Sequence, residues 1–414
     1  MSGYAEFRRG WGIVVSAAVG IGTSVTTLLS YTTGVFVKPL VDEFGWADHE
    51  VLVSYSIVLF GASALSPLIG RLSDRVGARR VAIGSVVGLA LSWFLLALTA
   101  GSLRVFYVCF AVMAIVGTGT LPVTWTAAII RSFVQRRGLA LGLCMVSTGM
   151  FGIGAKFYAY FLITQFGWRI AFAGMGVLLL VVTLPVTVIF FREPRERVGF
   201  AAPAAVEERD DAVGLSLAAA LRSGRFWILC GVFFLLSLAA GIAANLERFM
   251  SANGFTVARA VNIASFYGVG IILARLLTGY FIDRVWAPLV VFCVVLPAAL
   301  AYLVLGLDSH LTVAIASACV LLVGFGPGAE YDALAYLTSR YFGTRAYSAI
   351  YGSIYIAFAV GAGTGPYVFS RLLALQASNQ AVLFTFAGMF LSGALLCLTL
   401  GRYPTFTGGS ASPS

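Results

Sequence analysis

Arg275 sits inside an apolar run, Ile271-Ile272-Leu273-Ala274-Arg275-Leu276-Leu277, with no carboxylate three or four residues away along it. An arginine deep in a hydrocarbon layer costs about 2.5–3.5 kcal/mol on insertion scales. It is kept only where it faces a cavity or a partner. A guanidinium in that setting is a receptor for a carboxylate, or half of a structural pair with an acid. A second apolar run holds two acids, Glu330-Tyr331-Asp332. Successive helical positions diverge by about 100°, so Glu330 and Asp332 flank Tyr331 and cannot both face one cavity squarely. Three uses remain open for them: pairing with Arg275, carrying a proton, or a helix–helix hydrogen bond.

Other chemistries are absent from the sequence. Both histidines, His49 and His310, fall in loops, so no histidine relay or histidine-based metal site is expected inside the apolar runs. The six cysteines lie within those runs with no C-x-x-C pair, and they read as small packing residues. There is no P-loop, H-E-x-x-H, G-x-S-x-G or dinucleotide fingerprint. No enzyme activity, cofactor or metal is expected. Without a nucleotide site, any work must be drawn from gradients.

The elements that position these residues follow from composition. Of 414 residues 60% are hydrophobic and 11% charged, which implies an all-α membrane protein. Apolar runs near 11–36, 50–72, 80–100, 104–130, 138–163 and 169–191 are followed by a polar stretch from Arg192 to Arg225. Six more lie near 226–250, 258–282, 287–307, 311–338, 346–372 and 379–401. The expected architecture is therefore a six-helix half over 1–191, a linker over 192–225, a second half over 226–401 and a disordered tail over 402–414. The linker carries Glu207-Glu208-Arg209-Asp210-Asp211 and room for one short helix near 215–222. The first run is too long for a signal peptide and reads as an uncleaved helix.

Nineteen Lys and Arg residues fall on the side of the termini and six on the other. The positive-inside rule then predicts cytoplasmic termini and a cytoplasmic linker. The net charge of +10 belongs to these loops, and no nucleic acid is expected as a partner. Arginine outnumbers lysine 25 to 2, a usage that points to a GC-rich bacterium and so to its inner membrane. Gly84-x-x-x-Gly88, Gly138-x-x-x-Gly142 and Gly361-x-x-x-Gly365 predict close helix approaches.

Gly70-Arg71-Leu72-Ser73-Asp74-Arg75 recurs about half a chain later as Gly279-Tyr280-Phe281-Ile282-Asp283-Arg284. Each copy ends an apolar run, so one helical unit is used twice, which is the plan of a secondary transporter. Gly70 permits two helix ends to approach. Asp74 can accept hydrogen bonds from arginines or from a neighbouring helix N-terminus. The clusters Asp74, Arg71, Arg75 and Asp283, Arg284 are the expected gating elements.

The stretch Gly70-Arg71-Leu72-Ser73-Asp74-Arg75-Val76-Gly77-Ala78-Arg79-Arg80 resembles the loop signature of the major facilitator superfamily. Arg8-Arg9-Gly10-Trp11-Gly12-Ile13-Val14-Val15 is similar to the opening of monocarboxylate transporters. So is Gln135-Arg136-Arg137-Gly138-Leu139-Ala140-Leu141-Gly142, a pattern shared with the oxalate/formate antiporter branch. The resemblance implies twelve transmembrane helices in two pseudo-symmetric six-helix halves. It makes Arg275 the substrate-carboxylate anchor and Tyr331, Tyr31 and Tyr355 pocket residues; by residue type alone, Trp125 and the polar Thr148 are further candidates for the lining. Glu330 and Asp332 are the proton-coupling candidates. The chain departs from these relatives at Ile271, Phe358 and Tyr31, where they carry an aspartate, a second cation and a lysine. One fixed cation suits one carboxylate. The implied function is uptake or release of a small organic monocarboxylate, coupled to protons, by a protein working as a monomer. Anion exchange and drug efflux are the alternatives within transport; a transporter-like sensor is the alternative outside it.

Overall fold

The computed structural model describes residues 3–192, 213–307, 311–375 and 379–406. The acidic run 207–211, most of the 192–225 linker, His310 and the end of the tail lie outside them.

Among the described residues the chain is nearly all helix. Eleven helices are long and apolar enough to cross a membrane. We number the long helices α1 Glu6–Phe44, α2 Asp48–Val76, α3 Ala78–Ala97, α4 Leu103–Ser132, α5 Arg137–Phe166 and α6 Trp168–Phe190. They continue as α7 Gly224–Ala243, α8 Ala258–Phe281, α9 Ala287–Leu307 and α10 Val313–Phe342, α11 Tyr347–Ala374 and α12 Asn379–Leu398. The eleven exclude α11, whose glycines, serines and tyrosines dilute its apolar character over 28 residues. A short helix, Leu217–Arg222, falls where the linker sequence had room for one.

Local chemistry sets the boundaries. Gly77, with φ of 103°, is the one residue between α2 and α3. A side chain there would be strained, which accounts for the glycine in this tight turn. At the start of α2, the Glu50 carboxylate accepts from the Ala47 N–H at 2.9 Å. Pro122 restarts α4 after the 3₁₀ turn Thr118–Thr120, at the first helical position where its missing N–H is harmless. A π-helical stretch, Leu179–Thr183, interrupts α6, and a 3₁₀ stretch, Ala240–Asn245, ends α7.

The chain forms two compact units. The first runs through residue 217 and includes Phe342–Ser353, the start of α11. Here α1 packs on α5, α3 on α6, and α2 on α4. Two small-residue contacts hold the start of α11 against α2. A Cβ on Gly70 would overlap the Ser348 carbonyl, and one on Gly352 would lie 2.5 Å from the Ser66 carbonyl oxygen. Ser66 Oγ donates to the Gly352 carbonyl at 2.6 Å, and Tyr347 Oη lies 3.0 Å from Thr126 Oγ1.

The second unit holds Ala218–Tyr341 and Ile354–Pro404. In it α9 packs along α12, α7 on α12, and α8 on α10. The rest of α11 meets α7 through Gly361 and Gly365, whose Cβ positions are occupied by α7 backbone. Ser237 Oγ of α7 donates to the Phe358 carbonyl at 2.9 Å.

Packing of this kind makes a direct expectation. Gly70→Val should cost about 1–3 kcal/mol through overpacking and lower the thermal unfolding midpoint of the purified protein. Gly84→Ala is the control, because a Cβ there meets nothing within 4 Å. Equal midpoints for the two variants would refute the close contact at Gly70.

Candidate functional site

Arg275 lies on α8 and is 6% exposed; it is the one buried cation among the described residues. Its Cζ is 5.9 Å from the centre of the Tyr331 ring on α10. Tyr331 in turn is 4.7 Å from Phe358, and Tyr355 stacks on Phe358 at 5.4 Å with an interplanar angle of 26°. A guanidinium set against the face of a tyrosine gains cation–π attraction and keeps its planar fork. The second unit thus brings together Arg275, Tyr331 and Tyr355 of the expected site. Phe358, the position that lacks a cation, completes the aromatic wall.

Glu330 and Asp332 are 2% and 1% exposed. Glu330 Oε1 and both carboxylate oxygens of Asp332 have no hydrogen-bond partner among the described residues. Arg275 is the charged group whose field reaches both. Buried polar atoms without partners are uncommon and call for a functional explanation.

The first unit holds the remaining expected residues. Tyr31 is 37% exposed and its ring lies against Gly152 of α5. Thr148, half-buried on α5, donates to the Met145 carbonyl at 2.9 Å. Trp125 is fully buried: its ring lies against Gly20, 4.8 Å from Phe191, and its indole N–H donates to the Thr120 carbonyl at 3.0 Å.

Asp74 is buried at the end of α2. It accepts from Arg131 Nη2 at 3.0 Å, and from the Ser348 and Ala349 N–H groups at 3.4 and 3.1 Å. Those two amides belong to the first turn of α11, where N–H groups have no partner within their own helix. Asp74 therefore caps α11 from another helix, aided by the positive end of its dipole. Arg71 and Arg75 beside it are exposed. The second copy differs: Asp283 is half-buried, and Arg284 donates to the Tyr280 carbonyl at 2.5 Å with its Cζ 3.5 Å from the Tyr280 ring centre.

Two participants were not singled out by the sequence. Arg131 was one of many basic loop residues. Glu6 gave no signal, yet its carboxylate accepts from the N–H groups of Val134, Gln135 and Arg136 at 3.2–3.3 Å, ahead of α5.

Residues 19–366 match the family model described as the Major Facilitator Superfamily. An uncharacterized MFS-type transporter of Escherichia coli (strain K12), YhjX, is 24% identical over 355 residues, covering 82% of this chain and 84% of that protein. Human monocarboxylate transporter 11 is 27% identical over 288 residues, 68% of this chain and 58% of that protein. The crystal structure of the human organic anion transporter MFSD10 (TETRAN) superposes with a TM-score of 0.69 at 20% identity, over 94% of this chain and 99% of that one.

The cap on α11 is open to test by hydrogen exchange. Removing charge-assisted bonds worth about 1.5–3 kcal/mol each, Asp74→Ala should speed exchange of the Ser348 and Ala349 amides roughly tenfold or more. Asp283→Ala should leave them unchanged. Unchanged exchange in Asp74→Ala would show that the carboxylate does not hold this turn.

Proposed function

We propose a function from one premise: the chain belongs to the Major Facilitator Superfamily. It is a multi-pass membrane transporter, and our reading of its cargo is a small organic monocarboxylate. The carrying observation is Arg275, a buried guanidinium on α8 set against Tyr331, with Tyr355 and Phe358 behind. Its charge matches one carboxylate, and the aromatic wall suits the apolar remainder of such an acid. The names of two similar proteins, a monocarboxylate transporter and an organic anion transporter, support the class of cargo.

In this reading transport is proton symport by alternating access in a single chain. Glu330 and Asp332 are the candidate proton carriers. The halves divide at the 192–225 linker, and both termini and that linker face the cytoplasm of a bacterial cell. The Asp74–Arg131 pair and its cap on α11 act as the latch that closes the cytoplasmic side; Arg71, Arg75, Asp283 and Arg284 complete the gating set. Substrate contact by Tyr31 rests on the family resemblance, and contact by Thr148 and Trp125 on the sequence reading alone. Organic anion exchange is the second reading, favoured by the likeness to an organic anion transporter.

The test is uptake into proteoliposomes from a panel of organic acids. Arg275→Lys should lose most uptake at normal expression, because an ammonium does not reproduce bidentate geometry. Oxalate and malonate should compete less well than the best monocarboxylate. Wild-type uptake by the lysine variant would remove Arg275 as the anchor. Uptake that needs a counter-anion inside and ignores pH would select exchange.

A further inference from the structure

The contacts between α8 and α10 separate the two buried acids. The helices meet at glycines: a Cβ on Gly324 would overlap the Tyr267 carbonyl, and one on Gly328 would lie 2.5 Å from Ala274 Cβ and 2.8 Å from the Ile271 carbonyl. Gly270 meets Leu321 in the same way. Both chains ascend through these pairs, so the helices run parallel and each turn of α8 faces the next turn of α10. One turn beyond the Ala274–Gly328 pair lie Thr278 and Asp332. Asp332 therefore shares the α8-facing side of α10. Glu330 lies about 160° around the helix from Asp332. It is one turn beyond Gly326, whose Cβ position is filled by the Phe390 ring of α12. So one acid faces α8 and the other faces the α12 side.

Thr278 Oγ1 is buried and, like both Asp332 oxygens, has no partner among the described residues. By helical periodicity the two groups lie on the facing sides of one helix contact, with no hydrogen bond between them in this structure. Arg275, one turn before Thr278 on α8, is a charged neighbour of Asp332 and of Glu330 alike, so the two acids are told apart by the helix each faces. On the α12 side, one turn before Glu330, the neighbour is the Phe390 ring against Gly326.

We propose that Asp332, facing Thr278, is the proton-binding site of the transport cycle, and that Glu330 is not. This rests on the symport reading above. An uncompensated carboxylate at this depth is stable only when it is protonated or when a cation neutralises it. Arg275 has one charge to give. When Asp332 is ionised, Arg275 balances it and attracts the substrate less. When Asp332 binds a proton, from the aqueous side, the O–H bond neutralises it and Arg275 is released to hold the substrate carboxylate. One proton and one carboxylate then move together, and the unit carries no net extra charge. Thr278 is the positioning residue of this proposal: its hydroxyl, not bonded to the carboxyl in this structure, closes on it during the cycle.

The experiment compares Asp332→Asn, Glu330→Gln, Thr278→Val and Thr278→Ser with wild type in proteoliposomes. Benzoate and pyruvate are the probes, and internal pH is recorded with a trapped dye. Wild type should accumulate probe uphill under an imposed pH gradient, with an apparent KM that rises up to about tenfold per pH unit once Asp332 ionises. Asp332→Asn should keep counterflow exchange, lose uphill accumulation and show a KM independent of pH. Glu330→Gln should retain both the coupling and the pH slope. Thr278→Val should displace the pH midpoint and Thr278→Ser should restore it. Pyruvate-driven proton entry in Asp332→Asn, or loss of coupling in Glu330→Gln alone, would overturn the assignment. If wild type itself moves no protons, or accumulates probe only with a sodium gradient, the symport reading fails instead.

Discussion

Inside a membrane the helices gain nothing by burying apolar surface against one another, because lipid is as apolar as leucine. Association depends on close backbone approach and on polar contacts between helices. In this chain the approaches occur at glycine and serine: Gly70 and Gly352 where α2 meets α11, Gly361 and Gly365 where α11 meets α7, and Gly270, Gly324 and Gly328 where α8 meets α10. These positions fix which face of each helix is turned to its neighbour. Every polar residue on those helices inherits its environment from that choice. Arg275 comes to lie against Tyr331, and Asp332 falls on the side of α10 that carries the glycine contacts with α8, because glycines set the register a turn earlier.

The carboxylates fall into two groups by how their charge is met. Glu6 and Asp74 end in backbone amides at the beginnings of α5 and α11. Asp74 supplies what the first turn of α11 lacks, while Glu6 meets the loop amides just ahead of α5. The α5 and α11 starts are equivalent under a six-plus-six repeat, and at each an acid from another helix meets backbone amides, in the loop before α5 and in the first turn of α11. Among the described residues Glu330 Oε1 and both Asp332 oxygens have no hydrogen-bond partner, and Arg275 is a charged neighbour of both acids. A fully satisfied carboxylate is a fastener. One left unsatisfied at depth is poised to change its protonation state.

The fold was legible because a hydrocarbon layer demands about twenty apolar residues per crossing. Interruptions inside the spans were less so. Pro122 announces a restart, but the π turn at Leu179–Thr183 and the 3₁₀ end of α7 carry no comparable marker. α1 continues to Phe44, past the expected end near 36, because a helix can run on into water with Lys38, Asp42 and Glu43 on its last turns. For the site, Arg275, Glu330 and Asp332 stood out because charge in an apolar run is costly. The 100° step showed that the two acids diverge. It did not show toward which helices, since that depends on contacts of Gly326 and Gly328 with distant parts of the chain. Arg131 was hidden for the opposite reason: in a basic loop, one more arginine is ordinary.

The repeat itself is unequal, and the inequality has a physical origin. In the first copy the glycine of the motif lies against the Ser348 carbonyl, which brings the α11 amides within reach of Asp74 four residues on. Glycine and aspartate are thus one device: the first removes the side chain that would hold the helices apart, and the second caps the end so admitted. In the second copy the aspartate stays half-buried and the following arginine turns back to its own helix, onto the Tyr280 carbonyl and ring. Tyr280 stands where the first copy has Arg71, and its ring gives Arg284 a partner within four residues. A duplicated motif therefore yields one buried cap and one half-buried aspartate, in copies that differ at Arg71/Tyr280, Leu72/Phe281 and Ser73/Ile282.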